Sequence, residues 1–331
     1  MVAMKQDKLT KRFKIENLDP MGQGVSKIGD KITFISKTLP GEEGSCEVYQ
    51  AKKGVEFASM SSISLKSKIR TEPVCPHFDQ CPSCHYLHIE YSDELLFKKS
   101  SIQNELRKIP LEDEIEIISA KYRFSYRNRI QLHYDLDEEK MGYQDVKNNQ
   151  IIEVPNCLLP IPSIQEKIKE LYQNKFQDFP HNKIKGHIEI FLNAETGSVE
   201  TAFNKAYAHT GFTQVNQGMN KKALDLMESL AIPILKEDCC ILDLFGGKGN
   251  LSQRFPQTQK HLKIFVIDKY HPKYIPNNGL QKFVNLDLFK NGSENILAKK
   301  VKDQVELMII DPPRSGFKNI KNYLDRFTPK Y

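Results

Sequence analysis

Apolar positions follow three different rhythms along the 331-residue chain. From residue 8 to about 68, short β-branched runs alternate with turn signals: RFKIENL, MGQG, VSKIGDKITFIS, LPGEEG and SCEVYQAKK. Strands and turns spaced this closely predict a small OB-like all-β barrel. Residues 69–205 mix helical and strand-like runs and read as an α+β domain. Within it, SDELLFKKSSIQNELRK reads as an amphipathic helix, with Ser92 placed to cap it and Asp93 and Glu94 favouring its first turn. From about residue 206 the rhythm changes again. A helix over 217–230 sets Met219, Ala223 and Met227 on one face, and the buried-strand runs CCILDLF, KIFVID, KFVNL and ELMIID follow. Helical or loop segments separate those runs, which predicts a Rossmann-like parallel sheet over 206–331.

Composition adds little to this division into three domains. A hydrophobic fraction of 39% can build cores, and a net charge of +6 argues only weakly for a polyanionic partner. There is no apolar run of about 18 residues to cross a membrane. The opening MVAMKQDKLTKRFK lacks the apolar stretch of a signal peptide, which favours a cytoplasmic protein. The barrel region carries a slight basic excess, equally compatible with a solvated module and with nucleic-acid binding.

In a cytoplasmic chain, clustered cysteines bind metal or do chemistry more often than they form disulfides. CPHFDQCPSC sets Cys75, Cys81 and Cys84 at C-x5-C-x2-C spacing, and Cys157 stands far downstream in EVPNCLLP. Four thiolates can hold a tetrahedral zinc or a [4Fe-4S] cluster. Three cysteines in one loop with a remote fourth lean towards iron–sulfur, while His77 and His85 leave a Cys3His zinc site open. Cys46, Cys239 and Cys240 read as small apolar fillers.

Three further stretches carry chemistry. In YRFSYRNRIQLHY, aromatic residues interleave with Arg123, Arg127 and Arg129. Stacking rings such as Tyr126 beside arginines suit single-stranded RNA, though a half-buried strand with a basic outer face would read alike. ILDLFGGKGNLS follows an apolar strand with Asp243 and with Gly246, Gly247 and Gly249, read as opening a helix. A dinucleotide pattern would need glycine where Ser252 stands, so the loop fits NAD poorly. Asp268 closes the next strand, where a ribose diol would be gripped. Finally, the two prolines of IIDPPRSG make a rigid turn that leaves Asp311 at the carboxyl end of the sheet. The alternatives there are a plain turn and the motif by which many methyltransferases hold a planar base against the methyl donor.

Taken together, and in order along nearly the whole chain, these stretches resemble the RNA (uracil-5-)-methyltransferase family, in its 23S ribosomal RNA branch. The resemblance implies an N-terminal TRAM domain, a small RNA-binding barrel, over 8–68. It implies a central RNA-binding domain over 69–205 whose Cys75, Cys81, Cys84 and Cys157 ligate a 4Fe–4S cluster. It also implies an S-adenosylmethionine-binding domain over 206–331 in which Gln214, Phe245, Asn250, Asp268, Asp287 and Asp311 contact the cofactor. Two positions depart from the family pattern: Gly246 stands where cysteine is usual, and Asp268 where glutamate is. The stretch between Asp268 and Asp287 also looks short, as if a helix there were trimmed.

The implied reaction is C5-methylation of a uridine in 23S rRNA by a cytoplasmic monomer. A cysteine thiolate adds to C6, C5 attacks the methyl group, and a base removes the C5 proton. In the family, that cysteine and a basic glutamate follow the strand after DPPR. No cysteine follows Cys240 here, so the sequence reads as a truncated methyltransferase that does not complete the reaction by itself. A four-strand sheet would also leave an exposed parallel edge and an uncovered apolar face. The rival readings are a catalytically inactive RNA-binding iron–sulfur protein with a degenerate cofactor domain and, more weakly, an NAD-dependent oxidoreductase.

Overall fold

Short strands with tight turns close on themselves at the start of the chain. The computed structural model describes residues 10–111, 113–209, 213–255, 262–269 and 281–331. The first six strands are β1 (Thr10–Lys14), β2 (Asn17–Leu18), β3 (Gly24–Ile28), β4 (Lys31–Ser36), β5 (Glu43–Lys52) and β6 (Val55–Leu65). Their sheet order is β1-β5-β6-β4-β3-β2. β1 and β2 are consecutive parts of one bent run. Between them, Ile15 N donates to Glu42 O and Glu16 N to Val25 O, each at 2.9 Å. Both ends of the strand order therefore meet in one stretch, and the sheet closes around Phe13, Ile15, Ile35, Cys46 and Ala58.

The helix α1 (Tyr91–Leu106) starts one residue before Ser92. Glu90 occupies the cap position without a side-chain bond, so Ser92 lies inside the first turn and does not cap it. An antiparallel sheet follows from β7 (Arg129–Asp135), β8 (Lys140–Gln144), β9 (Ile151–Glu153), β10 (Lys185–Leu192) and β11 (Val199–Phe203), in the order β11-β10-β7-β8-β9. The helix α2 (Pro162–Gln173) buries Ile164, Ile168 and Leu171, at helical spacing, in the core that this sheet shares. Contacts divide the chain into two compact units, 1–207 and 208–331, so the barrel and this sheet lie in the same unit.

The second unit opens with α3 (Gln217–Ala231), capped by Asn216, whose side chain accepts from Met219 N. Its buried residues are Leu224 and Ala231, with Met227 packed beside them, whereas Ala223 is exposed. The face is rotated from the one expected because Leu224 removes more apolar surface from water than Ala223 can. The strands β12 (Cys240–Leu244), β13 (Lys263–Asp268), β14 (Gln281–Asn285) and β15 (Val305–Ile310) are those read from the sequence. They run parallel in the order β14-β13-β12-β15, and every residue of β12 is buried.

Helices cover both faces of this sheet. On one face α4 (Ser293–Lys300) and α5 (Ile320–Phe327) bury Leu297, Tyr323 and Phe327 against Leu242 and Leu244. On the other, Ala231 packs with Ile241, Ile264 and Val266. Two bonds of 3.0 Å, Tyr331 N to Glu306 O and Met308 N to Tyr331 O, lay Tyr331 along the β15 edge in the parallel pattern. The shortened stretch after Asp268 falls largely on 270–280, outside the described residues.

Candidate functional site

From β12 the chain steps outward to β13 and β14, then returns to β15 on the other side of β12. The crevice at the carboxyl ends of β12 and β15 is therefore the switch point where such sheets bind ligands. Phe245 follows β12, Asp268 ends β13, Asp287 lies just past β14 and Asp311 follows β15. Four of the six expected cofactor residues thus come from the same end of all four strands. Backbone bonds tie these ends together: Leu286 N donates to Asp268 O at 2.9 Å and Asp311 N to Leu244 O at 3.4 Å.

The glycine loop turns sharply here. Phe245, Gly247 and Gly249 have positive φ of 62°, 56° and 77°. A phenylalanine in this region is strained, and such strain is held where surrounding contacts fix it. Phe317, from just after the two prolines, meets the Phe245 ring edge-on at 4.8 Å. Gly247 N–H donates to Asp268 Oδ2 at 3.1 Å, so the acid at the end of β13 also braces the loop. Among the described residues the loop continues in turns to residue 254, with a single 3-10 residue at Phe255, so no helix follows directly on the three glycines, which disfavour one.

A buried polar chain lies beneath the loop. Gln281 Nε2 donates to Ser252 Oγ at 3.0 Å and to Gly249 O at 3.3 Å, and Ser252 Oγ donates to Asp243 Oδ2 at 2.6 Å. Asp243 is fully buried, and burial pushes its carboxyl up to about 7; the Ser252 hydroxyl opposes this shift and the charges of Asp311 and Asp268 add to it. Ser252, where a dinucleotide site would have glycine, is thus a tether between loop and sheet. Asn250 and Asn220 exchange side-chain bonds of 2.8 and 3.1 Å, fixing the loop to α3. Gln214 precedes that helix, and its carbonyl accepts from Gln217 Nε2. Asp287 is held below the usual carboxylate range, first by the Phe289 N–H and then by Lys269, 3.3 Å away.

In the first unit, Cys75, Cys81, Cys84 and Cys157 line a single pocket with His77 and Tyr143. Burial pushes Cys81, Cys84 and Cys157 up, and neighbouring thiols push them further. His77 Nε2 accepts from Asn156 N–H at 3.3 Å, and burial lowers the pKa of the ring. That lone pair is therefore engaged, and His85 is not among the lining residues, which weakens the Cys3His alternative. Among the described residues no group of three or more His, Cys, Asp or Glu side chains converges as a metal site. The four thiols surround a space without meeting at a point.

The arginines proposed for RNA are engaged internally. Arg129 is 4% exposed, pairs with the fully buried Glu189 at 2.9 Å, and lies over the Phe191 ring. Arg123 pairs with Glu94 and donates to the carbonyls of Ile89 and Tyr86. Arg127 lies over the Tyr126 ring, and its Nε is buried without a partner. Gln281, and Lys37 beside the cysteine loop, have no sequence signal of their own because each acts on residues far along the chain.

The second unit therefore defines a class: a doubly wound sheet with a glycine loop and strand-end acids at its switch point. No family model matches the chain. The 23S rRNA (uracil(1939)-C(5))-methyltransferase RlmD of Marinomonas sp. is 26% identical, over 92% of this chain and 80% of that protein. The protein of the same name from Vibrio campbellii is 23% identical, over 92% of this chain and 82% of its own length. In structure, the chain is similar to the Pyrococcus abyssi tRNA (uracil-54, C5)-methyltransferase solved with S-adenosyl-L-homocysteine. That likeness has a TM-score of 0.62 at 17% identity and covers 96% of this chain and 87% of the other. The chain is thus similar in sequence to 23S rRNA uracil-C5-methyltransferases and in fold to a tRNA uracil-C5-methyltransferase.

Proposed function

We propose that the protein is an S-adenosylmethionine-dependent enzyme of uridine C5-methylation in 23S rRNA. The observation that carries this reading is the gathering of Phe245, Asp268, Asp287 and Asp311 at one end of four parallel strands. The residues fit the cofactor: Asp268 suits a ribose diol, the positive-φ glycines allow close backbone approach, and Asp311 faces the same crevice. S-adenosylmethionine, when bound, supplies an electrophilic methyl group. The protein's part is to orient it beside an unstacked uracil. In this reading the protein is a cytoplasmic monomer. No described helix is long and apolar enough to cross a membrane.

Uracil C5 becomes nucleophilic when a thiolate adds to C6. Cys239 and Cys240 stand at the opposite end of β12 from Phe245 and are buried, so neither serves. In our reading, the polypeptide of residues 1–331 binds cofactor and RNA without transferring methyl. Calorimetry with S-adenosylhomocysteine and a tritiated-methyl assay on 23S rRNA test the two halves separately. Binding without transfer is expected. Turnover would refute the nucleophile argument, and no binding would refute the cofactor reading.

The four pocket thiols are proposed to hold a 4Fe–4S cluster in a structural role. Thiols that surround a space suit a cube of iron and sulfide better than a single tetrahedral ion, and their donor chemistry fits either. Anaerobic reconstitution should give iron and sulfide in equal amounts; uptake of zinc alone would overturn this. A second reading is a catalytically inactive RNA-binding iron–sulfur protein with a degenerate cofactor domain. It predicts tight RNA binding that S-adenosylhomocysteine leaves unchanged.

A further inference from the structure

Lys37, at the end of the barrel's fourth strand, points its ammonium at the cysteine loop. Its Nζ donates to the carbonyls of Phe78, Asp79 (2.9 Å) and Cys81 (3.0 Å). An ammonium has three N–H donors, and here all three are matched. The same Nζ lies 5.0 Å from the centre of the Phe78 ring, which packs on the buried His88 ring at 5.2 Å. Cys81 thus presents its carbonyl to Lys37 while its thiol lines the pocket.

The stem of this contact is fixed as firmly as its tip. Lys37 has φ 61°, the left-handed region that non-glycine residues seldom adopt. Its carbonyl accepts from Arg70 Nη2 at 2.8 Å, and Arg70 grips the fully buried Glu42 through Nε and Nη2 at 2.5 and 2.8 Å. Glu42 also accepts from Leu39 N and Ser67 N. A strained residue anchored at its backbone by a buried ion pair, and spending its charge on three carbonyls of one loop, is held for that loop.

We propose that Lys37 is a positioning residue through which the N-terminal barrel locks the Cys75–Cys84 loop in its ligating conformation, placing a fixed positive charge beside the cluster thiolates. This rests on the iron–sulfur reading above. Barrel and metal site are then one cooperative unit: loosening the barrel releases iron, and an empty pocket leaves Lys37 holding a less constrained loop.

The test uses the full polypeptide, reconstituted anaerobically with iron and sulfide, as wild type, K37M and K37R. K37M should lose iron to EDTA about 10–100-fold faster than wild type, and its cluster potential should fall because a neighbouring positive charge is gone. K37R should keep the potential but release iron at an intermediate rate, because a flat guanidinium fork cannot meet three converging carbonyls. Wild-type release and potential in K37M overturn the proposal; if K37M does not fold, wild-type release in K37R does so. If wild type takes up no iron, the cluster reading has failed, and the latch is read on the metal-free protein instead. Maleimide should then label the buried Cys81 faster in K37M, and equal rates overturn the latch.

Discussion

Restoring the residue that the related family usually carries at position 246 should harm this protein. A Cβ built on Gly246 lies 2.7 Å from Asp243 Cγ and 2.7 Å from Val266 Cγ1. Carbon atoms pack at about 3.5–4.0 Å, so both contacts are roughly 1 Å too close. Neither neighbour can give way easily: Asp243 is fully buried and tied to Ser252, and Val266 is 1% exposed in the middle of β13. Overpacking of this kind costs about 1–3 kcal/mol, which corresponds to a few degrees in the unfolding midpoint of a domain this size. Because the chain has no tryptophan, urea unfolding of G246C is best followed by far-UV circular dichroism. D243A removes one of the two obstacles, so G246C should cost at least about 0.5 kcal/mol less in that background. Wild-type stability in G246C, or strict additivity in the double mutant, would refute the reasoning.

Asp243 should also make stability depend on pH. Its folded pKa, raised by burial to about 7, lies above the ordinary 3.8, so the folded state holds a proton that the unfolded state has released between these values. Its contribution is full below the unfolded value and is lost as pH rises through the folded one, at up to about 1.4 kcal/mol per pH unit. D243N should flatten a pH 4–8 series of urea midpoints, and an unchanged slope would count against the buried carboxyl. R129M leaves Glu189 buried beside a neutral side chain and should destabilise the first unit by about 3–5 kcal/mol; a near-neutral result in thermal unfolding would return Arg129 to the list of RNA contacts. D268A removes the acceptor of Gly247 N–H and should weaken S-adenosylhomocysteine binding by about 1.5–3 kcal/mol in calorimetry.

The parallel sheet was legible because strands buried on both faces leave continuous apolar runs, and an acid at the end of such a run has few places to go except the ligand crevice. Asp268 and Asp311 could therefore be located without a structure. The cysteine quartet was legible only in part: spacing joined Cys75, Cys81 and Cys84, but nothing local tied them to Cys157. Helix ends were the weakest point. Ser92 looked like a cap because serine is often one, and the helix began a residue earlier. Met219, Ala223 and Met227 share one helical face in the sequence, but a helical period can be drawn through several registers, and only packing chooses among them. Lys37 and Gln281 carried no signal at all. Each acts across 29 to 44 residues on backbone carbonyls or a hydroxyl, groups that every sequence contains.

The closure of the N-terminal barrel has a consequence for how it fails. Residues 10–18 form both the first and the last position in the strand order, bonding to β5 on one side and β3 on the other. Like any strand of a closed barrel, this run is paired on both sides. Release of this single short run bares two unpaired edges at once, on opposite sides of the opening. Fraying of this segment thus exposes a template for β-pairing between chains, and a charge or proline introduced there would act on that pairing first.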